Sequence, residues 1–394
     1  MKTSRRHLLG AMAVASFPWM RTRGGGSAAA TTVKGRVEKI KDMIVYEHEK
    51  YYCAFPSVVI RPNGELLVAF RRAPNRRLYG ESYSHTDANA YLVMTRSRDN
   101  GATWSREPSL IFAHPFGGSQ DPCMVQLRDR SIVCTSYLWV PVRPETTEKF
   151  PKAMKNRSFV FFGGYVLRSE DGGSTWAGPI IPPPLPTDTT VNVFGDRTPP
   201  CQRGALCQAR NGKLYWTVQS FTQAETEHSS VQLLVSEDRG NTWKYSCPVA
   251  EDDRVVFNET SMYETDKGDL VAFIRTDKFD DHTVISRSTD GGRSFKWEDA
   301  GFQGHPHHAV RLPDGRVFLV YGYRHKPYGI RARVLNADCT DFKTAAEIVL
   351  RDDGGTRDIG YPWATVTADG HILVVYYFNK ADGLRHIAGT LLTC

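Results

Sequence analysis

The chain lacks any apolar run long enough to span a bilayer as a helix. Its one sustained apolar stretch, residues 8–20, falls short of the roughly 20 residues such a helix needs. An integral helical membrane protein is therefore not expected. A basic cluster is missing too. Lys2, Arg5, Arg6, Arg21 and Arg23 all precede residue 31, where no acidic residue occurs, so removing these five from the formal +7 leaves +2. So balanced a remainder offers no electrostatic footprint for nucleic acid. The eight cysteines contain no Cys-x-x-Cys pair, which leaves neither a zinc-ribbon nor a thioredoxin-like signal. Cys53, Cys123, Cys201 and Cys207 fall on or beside apolar strands, where Cys acts as a small buried hydrophobe.

The first thirty residues read as a leader. Ser4-Arg5-Arg6-His7-Leu8-Leu9 has the form of a twin-arginine export signal, and Ala28-Ala29-Ala30 offers a small-residue cleavage site. The expectation is a signal peptide over residues 1–30 on a bacterial protein that is exported, periplasmic or extracellular. Folding before export also weakens any case for a disulfide framework.

What the remainder has in abundance is repetition. Ser-x-Asp-x-Gly-x-Thr-Trp occurs at residues 97–104 (SRDNGATW), 169–176 (SEDGGSTW) and 236–243 (SEDRGNTW), with a near-copy at 288–295 (STDGGRSF). The pattern has a mechanism: Ser and Asp accept hydrogen bonds from turn amides, Gly permits positive φ, and the aromatic anchors the turn in the core. It is read as a structural fastener. A second repeat counts the units. Six apolar strand–turn–strand segments have turns centred on Gly64, Ser131, Gly212, Gly268, Gly315 and Gly370. The fasteners fall between successive hairpins, with a decayed copy at 336–342 (NADCTDF) filling the fifth interval. Residues 31–394 are thus expected to form an all-β, six-bladed β-propeller. The β-compatible segment 36–48 should pair with the C-terminal blade and close the ring. Residues 141–157 and the Pro-rich 179–200 are read as insertions, the second a loop over one face.

In a propeller the residues opening each inner strand ring one mouth. Here they are Ala54 and Phe55, Asp121, Arg203, Glu259, His305 with His307, and Tyr361. Burial penalises such groups unless they are paired or wet, so they mark the candidate site. Strict alternation puts His305 and His307 on one strand face. Two imidazoles without a third ligand are a weak zinc signal, so hydrogen bonding or substrate contact is expected and neither metal nor cofactor is assigned.

Hairpins, fasteners and mouth residues together resemble the sialidase (neuraminidase) superfamily, in which the fasteners are called Asp boxes, and the resemblance spans the chain beyond the leader. Asn258-Glu259 with the hairpin at Gly268 matches the segment carrying the family's catalytic glutamate. Arg275, seven residues past that glycine, matches one of three arginines that hold the substrate carboxylate, and Arg331 (YGIRARV) is a looser match to another. Gly360-Tyr361 before Asp369-Gly370 matches the nucleophilic tyrosine. Asp87 stands where the acid/base aspartate precedes the first Asp box. One position departs. The family's first inner strand opens Arg-Ile-Pro, whereas this chain has Ala54-Phe55-Pro56. Alanine cannot provide a bidentate grip on a carboxylate; Arg203, or Arg71 and Arg72, would have to supply a cation instead. The departure bears on substrate identity, not on fold.

The chemistry implied is consistent with these residues. A carboxylate nucleophile is repelled by an anomeric carbon that itself bears a carboxylate, and a neutral phenol avoids that repulsion. With a pKa near 10 it needs an adjacent base. Glu259, within hydrogen-bond reach of Tyr361, would be that base; Asp87 would protonate the leaving oxygen and Arg275 would anchor an anionic group. Asp121, His305 and His307 are assigned to hydroxyl or aglycone contacts. The expected function is retaining hydrolysis of a terminal acidic sugar, sialic acid or a related ulosonic acid, with a glycan as the partner. Two alternatives stay open: a non-catalytic carbohydrate-binding propeller, and a polysaccharide lyase using His or Tyr.

Overall fold

The computed structural model describes residues 35–81, 85–221, 228–379 and 382–394; the signal-peptide reading of residues 1–30 lies outside them. Six antiparallel sheets follow one another along the chain. Blade 1 is Tyr51–Ile60, Leu66–Pro74, Tyr91–Ser97 and Ser109–Phe112. In blade 2 the inner strand is broken into Gly118–Ser119 and Cys123–Gln126, both paired with Ile132–Pro141, and Phe159–Ser169 and Ala177–Ile180 complete the sheet. Blade 3 starts from the very short Cys207–Gln208 and continues with Leu214–Phe221, Ser229–Ser236 and Lys244–Ala250. Blade 4 is Val256–Glu264, Leu270–Asp277, His282–Ser288 and Lys296–Gln303; blade 5 is His305–Arg311, Val317–Tyr323, Gly329–Leu335 and Glu347–Arg351.

Blade 6 takes three strands from the C-terminal end, Gly360–Val366, Ile372–Asn379 and Arg385–Leu392, and its outer strand, Lys39–Tyr46, from the N-terminal end. Lys39 pairs with Leu392 and Ile44 with Ala388, antiparallel. The ring therefore closes as the sequence implies, and an edge that would otherwise be open is covered.

Strands buried on both faces explain the apolar runs. Successive side chains alternate sides, so Val68 and Phe70 pack with Leu373 and Val375 of blade 6. Leu67 and Ala69 point the other way, toward Met124 and Cys134 of blade 2. The same arrangement recurs between every pair of neighbouring blades, so the core is six inter-blade sandwiches around an axis.

Each fastener joins the third strand of a blade to its outer strand. The Ser hydroxyl accepts from the Gly amide at 2.7–2.9 Å, and the Asp carboxylate accepts from the amide four residues on at 2.8–3.0 Å, in all four copies. The glycines, Gly101, Gly173, Gly240 and Gly292, take φ between 81° and 86°, where a Cβ would be strained. Their aromatics plug the sandwiches: Trp104, Trp176, Trp243 and Phe295 each pack on a different inter-blade cluster. In the decayed fifth copy Asn336 takes the serine's place, accepting from Thr340 N at 3.0 Å, and Phe342 is buried. Blade 6 has no copy because its third and outer strands come from opposite ends of the chain, leaving no turn to fasten.

The insertions are ordered into modest structure. Residues 144–149 form a 3-10 turn, Lys155–Asn156 pairs with the third strand of blade 2, and the Pro-rich segment runs as a loop with one isolated bridge, Val191 to Arg197.

Candidate active site

The mouth lies where inner strands begin, opposite the end that holds the inner hairpin turns and the Asp boxes. Every mouth residue sits on an irregularity of its inner strand. Register shifts occur between Ala54 and Ser57, Phe257 and Thr260, His305 and His307, and Gly360 and Trp363. Asp121 lies in the break of the blade 2 strand, and Arg203 in the unpaired stretch before the short blade 3 strand. Bulges bend a strand and re-aim its side chains. Two are strained: Phe55 has φ 58° and Tyr361 has φ 54°, the left-handed region that costs a bulky residue about 1–3 kcal/mol.

Arg203 holds those two bulges. It is buried, and its guanidinium donates to the carbonyls of Phe55 (3.1 Å), Pro56 (2.6 Å) and Tyr361 (3.0 Å). It also lies 5.1 Å from the Tyr361 ring centre. With its fork committed to three carbonyls, Arg203 is a positioning residue rather than the substitute carboxylate anchor that the sequence suggested.

Tyr361 and Glu259 meet at a third group. Arg275 Nη1 donates to Glu259 Oε2 at 2.7 Å and to the Tyr361 hydroxyl at 3.4 Å, while its Nη2 donates to Asp277 at 3.0 Å. The expected direct Tyr–Glu hydrogen bond is replaced by this shared guanidinium, which fits between them because Arg275 stands near the mouth end of the strand that pairs with the one carrying Glu259. Burial, reinforced by the Glu259 charge, raises the Tyr361 phenol well above its ordinary value. The same residues hold Arg275 protonated, with Glu259 as the chief favourable influence against burial. Asp121 is buried, its Oδ1 has no partner among the described residues, and burial pushes its carboxyl up to about 7 against the pull of Arg203. A pocket of about 100 Å³ adjoins Glu259, lined by Tyr137, Trp139, Met154, Phe161 and Phe221.

Residues 153–374 match the BNR repeat-like domain family. The chain belongs to that family. It is similar to a solved Dyadobacter fermentans protein of unknown function, at 52% identity and a TM-score of 0.88, over 91% of this chain and 99% of that one. More distant likenesses include the Hadza microbial sialidase Hz136, with 18% identity, a TM-score of 0.63, and coverage of 86% and 65% of the two chains. The NanB sialidase of Streptococcus pneumoniae follows at 15% identity and a TM-score of 0.62, covering 89% and 70%. No curated protein matches the sequence. The fold is therefore that of a sialidase-like BNR-repeat propeller. No helix among the described residues is long and apolar enough to cross a membrane.

Two further assignments change on this BNR-repeat propeller, those of Arg331 and His307. Arg331 turns away from the mouth: it bonds the Arg351 and Pro327 carbonyls, lies 3.6 Å from Glu347 and covers the Tyr323 ring. It sits within a third strand, two strands out from the axis, and its partners lie on the outer strand, the preceding link and the second strand. Arg324 takes the place expected of it, following the mouth end of the blade 5 second strand, 2.9 Å from the Tyr377 hydroxyl and over the Tyr361 ring at 5.0 Å. Asp87 is clamped by Arg76 through both oxygens at 2.7 and 3.0 Å and also accepts from Asn89 N. No direct contact joins Asp87 to Tyr361 among those of the described residues, which is the arrangement expected of an acid that stands across the cleft with room for the anomeric carbon between them. His307 is a core residue. The bulge after His305 breaks the alternation, so His307 turns to Thr283 Oγ1 at 2.7 Å and burial pushes its imidazole down to about 3.

Arg71 is the residue that sequence reasoning only half found. It pairs directly with Ala54 across the blade 1 hairpin. It is fully buried, with no hydrogen-bond partner on any guanidinium nitrogen among the described residues. The signal was present: Arg71 and Arg275 each stand seven residues beyond their hairpin glycine, Gly64 and Gly268.

Proposed function

We propose that the protein is a retaining exo-glycosidase for a terminal acidic sugar, a sialic or related ulosonic acid. The observation that carries this reading is Tyr361, strained at the mouth and joined to Glu259 through Arg275. Tyr361 Oη attacks the anomeric carbon as the bond to the leaving oxygen breaks, and Glu259 takes the phenolic proton. Asp121 joins Asp87 as a candidate acid, because it lies in the break of the blade 2 inner strand at the mouth with Oδ1 unpartnered among the described residues, and burial pushes its carboxyl up to about 7, which suits proton donation at neutral pH. The acid gives its proton to the leaving oxygen; its carboxylate then takes a proton from the water that attacks the anomeric carbon, while Tyr361 leaves and recovers its proton from Glu259, with net retention. Arg275 and Arg324 flank the phenol and grip the substrate carboxylate. Arg71, opposite Ala54, supplies the third guanidinium from the neighbouring strand.

The experiment is a screen of fluorogenic sialosides, other ulosonides and uronides, followed by Tyr361→Phe on whichever is cleaved. The variant should lose several orders of magnitude in turnover while melting as the parent does. A 2-fluoro or 3-fluoro analogue of the cleaved sugar should label Tyr361, as read by peptide mass spectrometry. Full activity in Tyr361→Phe, a label elsewhere, or an unsaturated ultraviolet-absorbing product would overturn the proposal.

A further inference from the structure

Three metal-ligating side chains that are distant in sequence converge beside the mouth. Asp281 ends the link between Leu270–Asp277 and His282–Ser288 of blade 4. His305 opens the inner strand of blade 5, and His325 follows its second strand, Val317–Tyr323. The ligand atoms of all three lie within 4.8 Å of one another. Asp281 Oδ2 is 3.5 Å from His305 Nε2 and 3.2 Å from His325 Nε2.

Both are ion-pair distances, longer than the about 2.7–2.9 Å of a well-formed charge-assisted hydrogen bond. They do suit co-ligands of one ion: in a tetrahedron with bonds of about 2.0–2.1 Å, neighbouring ligands stand about 3.3 Å apart. The donors are otherwise unengaged. Both ring nitrogens of His305, which is only 2% exposed, and Nε2 of His325 have no hydrogen-bond partner among the described residues. The backbone is also held out of its ordinary range, with Lys278, Asp280 and Asp281 at φ 59°, 49° and 56°. Three left-handed non-glycine residues in so short a link are costly, and they aim Asp281 across the blade boundary.

We infer that Asp281, His305 and His325 bind a first-row divalent cation, with zinc favoured by the ligand set. Two imidazoles and a carboxylate are the donor set of open zinc sites, which keep a position for water or a substrate oxygen. The inference stands whether or not the glycosidase reading holds.

The test uses the full chain, stripped with chelator and titrated with zinc chloride by calorimetry, with cobalt(II) as a spectroscopic probe. One equivalent of zinc and intense visible cobalt bands of tetrahedral type are expected. Asp281→Asn and His325→Gln should weaken zinc by more than the roughly 10–100-fold typical of losing an outer-shell partner, and should bleach the cobalt bands. His325 is partly exposed, so its replacement leaves folding intact and keeps the comparison interpretable. No binding to the parent would overturn the inference, as would variants that bind like the parent, since the ion would then sit elsewhere, for example on a free thiol.

Discussion

Arg203→Ala removes the one side chain that ties the blade 1 and blade 6 bulges together. Its three hydrogen bonds, at 2.6, 3.0 and 3.1 Å, come from a charged donor, and each such bond contributes about 1.5–3 kcal/mol. Their sum is an upper limit, since burying the guanidinium costs several kcal/mol. Relaxation of Phe55 and Tyr361 from positive φ returns a further share. The net loss should be about 3–5 kcal/mol, the lower part of what three buried carbonyls left unsatisfied cost at about 1–3 kcal/mol each. Urea unfolding should show a lower midpoint at unchanged slope, because the surface exposed on unfolding stays the same. Hydrogen exchange should rise first at residues 54–57 and 360–363. Arg203→Lys should recover little, because an ammonium lacks the planar fork that reaches three carbonyls. A midpoint within experimental error of the parent, or full rescue by lysine, would refute the assignment of Arg203 as the bulge clamp.

Asp238→Ala should lower stability by about 1–3 kcal/mol through unmet turn amides, with per-molecule turnover unchanged; a selective loss of turnover at constant stability would put the Asp box in the site. The Asp99 carboxyl is lowered to about 2, chiefly by the Thr103 hydroxyl. Its contribution should be complete above about pH 4 and disappear as pH falls through about 2, a dependence that Asp99→Asn should remove from acid-unfolding curves. For Asp121, raised to about 7, the sign is opposite: the folded state keeps a proton that the unfolded chain has released, so stability should fall as pH rises from about 4 to about 7. Asp121→Asn should flatten that slope in urea midpoints measured across the range. Deleting residues 35–46 strips Val37, Val45 and Tyr46, all buried, at about 1.5–3 kcal/mol each, and reopens the blade 6 edge. Aggregation beyond that of the parent is the expected readout by light scattering, and an equally stable truncation that aggregates no more than the parent would contradict ring closure as a stabilising device.

Blade number, closure and the Asp boxes were legible from residues alone because each rests on local chemistry. A glycine at φ near 85°, an Asp four residues before the amide it accepts from, and strands buried on both faces leave their marks within a dozen positions. Glu259, Arg275 and Tyr361 were legible for the same reason, as each stands at a fixed step from a hairpin turn. The rest of the site depends on what faces what across the axis. Strict alternation put His305 and His307 together; a one-residue bulge parted them, leaving His307 in the core and His305 beside Asp281 and His325. Arg331 and Arg324 are seven positions apart in the same blade, one within its third strand and one just past its second, and only the latter, at the mouth end, reaches Tyr361. Arg203 resembled a substrate anchor until three carbonyls from two other blades were seen to occupy it. Bulges, strand ends and cross-axis partners are set when six sheets pack into one ring, and no stretch of sequence carries that information locally.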